Sequence, residues 1–196
     1  MPDLLTKNPL RIVGLASGTS MDGLDICVAD IHCAKHTFQP RSLASRIVPF
    51  PPDLREAIRA SLSGPTEHVC ETHYRLGRFY AEETSRFLSE VGIRSIDGVG
   101  SHGQTVHHVS GVATLQIGEP SFLAEELGVP VVSDFRARDI SLGGTGAPLI
   151  PFVDKCLFQQ ADSSVVSLNI GGIANITYIP PTDSHDDVTG FDTGPG

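Results

Sequence analysis

At 196 residues the chain is long enough to bury a core as one domain, or as one domain and part of another. Hydrophobic residues at 40% and charged residues at 19% exclude long disorder, and a formal net charge of -9 argues against a nucleic-acid or anionic-membrane surface. The four cysteines (Cys27, Cys33, Cys70, Cys156) form no CxxC pair, no apolar run approaches the ~18 residues of a membrane span, and the first eleven residues carry no signal-peptide pattern, so a reduced, cytoplasmic protein without membrane or nucleic-acid partners is expected.

The first predicted element is a β-hairpin. An apolar run over residues 12–16 leads into Ser17-Gly18-Thr19-Ser20-Met21-Asp22-Gly23-Leu24-Asp25, and an alternating run over 26–31 leaves it. Its glycines let the backbone approach a ligand, Thr19 and Ser20 add hydroxyls, and the N–H groups of such a turn can form an anion-binding concavity. Asp22 and Asp25 suit that role if a divalent cation sits between them and phosphate oxygens. A tight turn using Asp and Gly only for backbone geometry explains the same residues.

Residues 42–48 read as a third strand, broken by Pro49, Pro51 and Pro52. Asp53 and Glu56 form a capping box ahead of a short helix carrying Leu54, Ile58 and Leu62, which Gly64-Pro65 ends. Helical spacing of Val69, Leu76, Phe79, Tyr80, Phe87, Leu88 and Val91 predicts a long helix over 66–91, with Gly92 as its C-cap. A strand over 96–101 then runs into Ser101-His102-Gly103-Gln104-Thr105-Val106-His107-His108, read as a substrate-facing polar loop because its histidines match no zinc spacing. Residues 114–117 form a short strand, and Ser121 caps a helix through Leu127 that Gly128 stops.

Residues 129–133 read as a buried strand followed by Asp134, Arg136, Arg138, Asp139 and Gly143-Gly144-Thr145-Gly146, at the strand end where α/β sheets bind ligands. A solvated loop of ion pairs is the competing reading. Pro148 opens a helix towards Gln160. Residues 164–170 and 173–179 form a second hairpin around Gly171-Gly172, with Asn169 and Asn175 at its tip, and a polar insertion over 180–189 precedes Gly190-Phe191-Asp192-Thr193-Gly194-Pro195-Gly196. The alternation of strands and helices points to an α/β or α+β sheet layered with helices.

Three familiar motifs fail. Gly18 and Gly23 have P-loop spacing, but Leu24 and Asp25 stand where Lys and Ser/Thr would grip phosphate; a GxSxG elbow fails at Asp22; no GxGxxG follows the first strand. Two glycine-tipped hairpins with isolated aspartates suit phosphoryl transfer, which needs positioning, charge neutralisation and a carboxylate to take a proton.

The motifs Ser17 to Gly23, Ser101-His102-Gly103-Gln104-Thr105, Asp134-Phe135-Arg136, Gly146-Ala147-Pro148-Leu149, Asn169 to Asn175 and Phe191 to Gly196 occur in order and together resemble the anhydro-N-acetylmuramic acid kinase family. The resemblance implies the sugar kinase, Hsp70 and actin superfold: an α/β, actin-like (ribonuclease H-like) ATPase domain, a mixed sheet with helices on both faces, over residues 1–163, and the truncated beginning of a second, nucleotide-side domain over 164–196. It implies ATP-dependent phosphorylation of a 1,6-anhydro sugar at O6, with water opening the anhydro bridge and Mg²⁺ as the accompanying ion. Asp192 matches the base that activates that water. Gly18, Thr19, Ser20, Met21, Asp22, Gly23, Leu24 and Asp25 match the first phosphate-binding segment, with Asp22 the Mg²⁺ contributor, and Asn169, Gly171 and Gly172 the second. Gln104, Asp134 and Arg136 fall in motifs placed near the sugar.

Family members continue well past the Gly-Pro-Gly, so the expected partners besides anhydrosugar and ATP are a complementing C-terminal half or a second copy of the chain. Levoglucosan-type kinases share Asp134-Phe135-Arg136 and the motif at 191–196, and the segment 114–118 is nearer the muramic acid branch. A non-catalytic sugar-binding remnant is the reading of a different class.

Overall fold

The computed structural model describes residues 7–18, 20–34, 37–171 and 173–196. The first hairpin forms as read: β1 (Leu10–Ser17) runs antiparallel to β2 (Gly23–Ala34), with Val13 opposite Val28 and Leu15 opposite Ile26. β3 (Thr37–Pro49) continues the antiparallel meander on the far side of β2. β4 (Gly98–Val109) pairs parallel to β1. The outer edge of β4 is shared, its first half taking the two-residue β6 (Val131–Val132) in parallel and its second half taking β5 (Ala113–Ile117) antiparallel. Along the order β3-β2-β1-β4-β6, three antiparallel strands are followed by two parallel ones, the mixed sheet that the resemblance implies.

Alternation decides which face carries the core. Val13 and Leu15 of β1, Leu24, Ile26 and Val28 of β2, and Val99 of β4 point to one side and are almost fully buried. That side is covered by α1 (Pro52–Ala60) through Leu54 and Ile58, and by α2 (Thr66–Glu90) through Leu76, Tyr80, Phe87 and Leu88. α3 (Ser121–Leu127) packs on α2, Leu123 being fully buried. On the opposite face small residues alternate, and α4 (Phe135–Ser141) lays Phe135 over Gly100, where a Cβ would lie 3.7 Å from the ring. Helices therefore stand on both faces of the sheet.

A second, three-stranded sheet has the order β7-β8-β9: β7 (Val165–Ile170), β8 (Ile173–Ile179) and β9 (Thr189–Pro195), all antiparallel. α5 (Ile150–Phe158) packs against β8 and β9 and also touches β3, so it sits between the two sheets. No helix among the described residues is long and apolar enough to cross a membrane.

Four local expectations are corrected. Asp53 caps nothing: Pro51 is the N-cap of α1, and the Asp53 carboxylate instead accepts a hydrogen bond from Arg75 Nη2 on α2 at 2.7 Å. Ser121 lies one residue inside α3, whose N-cap is Pro120, and its hydroxyl bonds Glu119. The polar segment 101–108 is the body of β4 rather than a loop, because β1 pairs with it as far as Gln104 and β5 from Gln104 onward, so strand partners hold its backbone whatever its side chains. The stretch 129–133 is a strand only at Val131 and Val132, and Val132 is 60% exposed at the sheet edge.

Gly77 makes a testable statement about the α2–α3 junction. A Cβ there would lie 2.5 Å from the carbonyl oxygen of Glu119, a backbone atom that cannot swing away. Alanine would gain about 1 kcal/mol of helix propensity, but overlap of this kind costs about 1–3 kcal/mol, and the overlap is with fixed backbone. Gly77→Ala is expected to lower the urea midpoint, and a raised midpoint would refute the close approach.

Candidate active site

Between the end of β4, the helix α4, the turn before α5 and the second sheet lies a cleft of about 550 Å³. Its polar lining comes from His108 and Ser110 of the β4 end, Arg136 of α4, and Asn169, Asn175, Thr177 and Asp192 of the second sheet. Pro148, Leu149, Ile150 and Pro151 form an apolar wall. Strand register explains the polar row. Asn169 pairs with Asn175 across β7–β8, and Asn175 pairs with Asp192 across β8–β9, so the three side chains stand side by side on one face. Thr177 and Gly190 form the next row of that face, and Gly190 is where Pro151 packs closely.

Arg136 reaches the cleft in a fixed posture. Its Nη1 donates to the carbonyl of Gly146 at 2.8 Å and its Nε to Nε2 of His102 at 3.0 Å. Asp139 stabilises the turn that supplies this carbonyl, its Oδ2 accepting from the Gly146 N–H at 2.7 Å. Partial burial moves the Arg136 pKa down from its ordinary value, but an arginine remains charged throughout the working range. The Arg–Asp segment, for which a solvated loop is the competing reading, is a short helix whose residues 136 and 139 hold one turn.

The other predicted site residues lie elsewhere. At the tip of the first hairpin, Met21 N–H donates to the Gly18 carbonyl at 3.1 Å, Met21 adopts a positive φ of 52°, and Ser20 Oγ donates to Asp22 Oδ1 at 2.8 Å. Ser17, just before the tip, is buried and donates to the Gly103 carbonyl, so the hydroxyl of Tyr80 at 2.8 Å is its donor; burial raises the Tyr80 pKa and keeps that proton in place. Leu24 is wholly within the core, so only its backbone can face a ligand, and Asp25 is exposed on the sheet face away from the core. Gly23 and the residues around it are outside the cleft lining. Thr19 and Gly172 lie outside the described residues.

Of the three residues assigned to sugar, Arg136 alone lines the cleft. Gln104 is fully buried, and its Nε2 donates to the Gly18 carbonyl at 3.3 Å, so it ties β4 to the first hairpin tip. Asp134, in the left-handed region at φ 57°, borders a smaller polar pocket with His73, Ser101, His102 and Glu119. Asn175 and His108 line the cleft and were outside the predicted set. The signal for Asn175 is in the sequence: Asn169 and Asn175 stand symmetrically three residues either side of Gly172, which in a hairpin makes them cross-strand partners.

Among the described residues no three His, Cys, Asp or Glu side chains converge into a metal cage. Mg²⁺ needs no such cage, since it is commonly held by one or two carboxylates plus water and phosphate oxygens. Asp22 fits that pattern: it is an exposed carboxylate at a loop tip with a neighbouring hydroxyl, and Oδ2 has no protein partner among the described residues.

Comparison with known proteins follows the same lines. The family model described as anhydro-N-acetylmuramic acid kinase matches residues 10–196. Curated relatives carry that name: one from Caldanaerobacter subterraneus subsp. tengcongensis is 35% identical, covering 98% of this chain and 52% of that protein. One from Salinibacter ruber is 41% identical, covering 94% of this chain and 50% of that protein, and one from Shewanella sediminis is 42% identical over 96% and 52%. The chain therefore spans about half the length of these relatives. A solved ROK hexokinase from Thermus thermophilus overlaps 88% of this chain and 46% of its own at 18% identity and a TM-score of 0.34, too loosely to carry an argument.

Proposed function

We propose that this chain, which belongs to the anhydro-N-acetylmuramic acid kinase family, is the sugar-side part of an anhydrosugar kinase that transfers the γ-phosphoryl of ATP to O6 of 1,6-anhydro-N-acetylmuramic acid. In this reading residues 1–163 are the sugar-side domain, residues 164–196 begin the nucleotide-side domain, and the product, N-acetylmuramic acid 6-phosphate, belongs to cytoplasmic recycling of cell-wall sugars. The observation that carries it is the meeting of Arg136, Asn169 and Asp192 in one cleft, although they come from three motifs far apart in sequence.

The chemistry assigns these groups complementary work. Asp192, an exposed carboxylate on β9, takes a proton from a water as that water's oxygen bonds to the anomeric carbon. The bond between that carbon and O6 breaks, O6 takes the γ-phosphoryl, and ADP leaves. Arg136 holds an oxygen of the sugar through a donor fork fixed at two points. Asn169 and Asn175 present amides beside Asp192, where they can orient the water or the transferring group. Asp22 would hold Mg²⁺, which when bound neutralises charge on the phosphates. The tip of the first hairpin offers its backbone to the same phosphates.

Calorimetry on the purified chain tests the sugar half of this reading. Binding of anhydro-N-acetylmuramic acid is expected, and Arg136→Ala is expected to weaken it by about 10-fold or more, the usual loss for a charge-assisted hydrogen bond. Equal or tighter binding of levoglucosan would move the substrate assignment to that branch. No binding of either sugar would refute the reading.

A further inference from the structure

We propose that His102 is a positioning residue for Arg136, a neutral imidazole whose Nε2 lone pair sets the direction in which the guanidinium enters the cleft. The inference rests on the reading of that cleft as the anhydrosugar site. His102 stands on β4, within a motif expected to serve the sugar directly, but it borders the smaller polar pocket rather than the cleft.

Its protonation pattern follows from its partners. Nδ1 lies 2.9 Å from the carbonyl oxygen of Gly103, and a carbonyl only accepts, so Nδ1 carries the proton. Nε2 is then an acceptor, and it receives the Arg136 Nε–H at 3.0 Å. Arg136 Nη1 is taken by the Gly146 carbonyl. With Nε and Nη1 anchored on different segments, the plane of the guanidinium is determined, and Nη2, which has no protein acceptor among the described residues, is the donor left for a ligand. An imidazolium would remove the acceptor and set a positive ring against the guanidinium.

The surroundings favour the neutral ring on balance. Burial is the main cause holding the His102 pKa below its ordinary value; the Gly103 hydrogen bond works against this, and the charge of Arg136 adds to it. The other titratable groups lining the same pocket are His73 from α2, Glu119 from the β5–α3 junction and Asp134 from the turn before α4. Glu119 is already occupied by Ser121 and His73. The sign is that His102 stays neutral at and somewhat below the ordinary imidazole pKa of about 6.5, and the anchor of Arg136 is lost only as pH falls through the lowered pKa of the folded chain.

Two measurements on the whole chain test this. In long-range ¹H–¹⁵N spectra at pH 7.5, His102 is expected as the Nδ1–H tautomer, with an Arg136 Nε–H resonance protected from exchange. An Nε2–H tautomer, an imidazolium, or a freely exchanging Nε–H would overturn the proposal. In calorimetry with anhydro-N-acetylmuramic acid, His102→Leu is expected to weaken binding by about 10-fold, while His102→Gln, which can offer an amide oxygen to the same Nε–H, recovers most of the loss. Wild-type affinity is expected to fall in acid, and that of His102→Gln to stay flat. Wild-type affinity in His102→Leu, or an unchanged pH profile in His102→Gln, would overturn it. Should the wild-type chain bind no sugar, the functional reading fails by itself, and the spectra still decide whether His102 positions Arg136.

Discussion

With the C-terminal half of a curated relative supplied, Asp192→Asn is expected to lower phosphoryl transfer to the anhydrosugar by about 10²–10⁴-fold while changing sugar affinity by no more than about 2-fold. The split follows from where Asp192 stands. It is exposed on β9, in line with Asn175 and Asn169, and no protein group pairs with its carboxylate among the described residues. Asparagine preserves its shape and its place in the row but cannot take a proton from water. A residue that only held the sugar would lose affinity and turnover together, since it would contribute equally to ground and transition states. Steady-state kinetics beside calorimetry separates the two. Turnover within about 3-fold of wild type would remove Asp192 from the role of base.

The isolated chain is expected to be a poor kinase, with turnover at least about 100-fold below that of the completed assembly, because a phosphoryl-transfer site works by enclosing both substrates. The second sheet shows what is open. On the face turned away from Asp192, Val166, Leu168, Ile170 and Phe191 are each more than half exposed. Together these are exposed apolar side chains of the kind that mark an interaction face. The outer edges of β7 and β9 carry unpaired backbone groups. In the first sheet the corresponding edge of β1 is occupied by the parallel strand β4, whereas among the described residues the meander β7-β8-β9 has no strand beside β7. Adding the complementary half is expected to restore turnover in a coupled ATPase assay with anhydro-N-acetylmuramic acid and to suppress binding of an apolar dye. Normal turnover by the purified chain alone would sink this expectation, and a stable dimer in sedimentation would name the second copy as the cover.

Both hairpins were legible from sequence, and for the same reason. Residues 12–16 and 26–31, like 164–170 and 173–179, alternate or run apolar around a glycine-bearing turn, and a period of two leaves little choice of register once one face must be buried. α2 was legible because Leu76, Tyr80, Phe87 and Leu88 recur at helical spacing over 25 residues. The resemblance of six ordered motifs supplied the family, and with it Asp192, Asn169 and Arg136, all of which line the cleft.

What failed were readings of polar segments, where local composition says little about partners. Residues 101–108 look like a loop because three are histidine, yet two neighbouring strands claim their backbone. Gln104 stands in a motif placed near the sugar, and only the fold shows that it is buried and donates to the Gly18 carbonyl. Asp53 has capping-box spacing, but Pro52 occupies the first position of α1 and the cap falls two residues earlier, at Pro51.

The division between the two sources is physical. Sequence by itself determined the elements whose hydrophobic period is strong, the glycine turns and the chemical types available for catalysis, because these depend on neighbours along the chain. Tertiary structure alone decided that Asp192 joins Asn169 and Asn175 in one row, that Arg136 is clamped between His102 and Gly146, and that Asp134 and Gln104 stand apart from the cleft. Those are contacts between segments up to 86 residues apart in the chain, set by strand register and helix packing that no local pattern encodes.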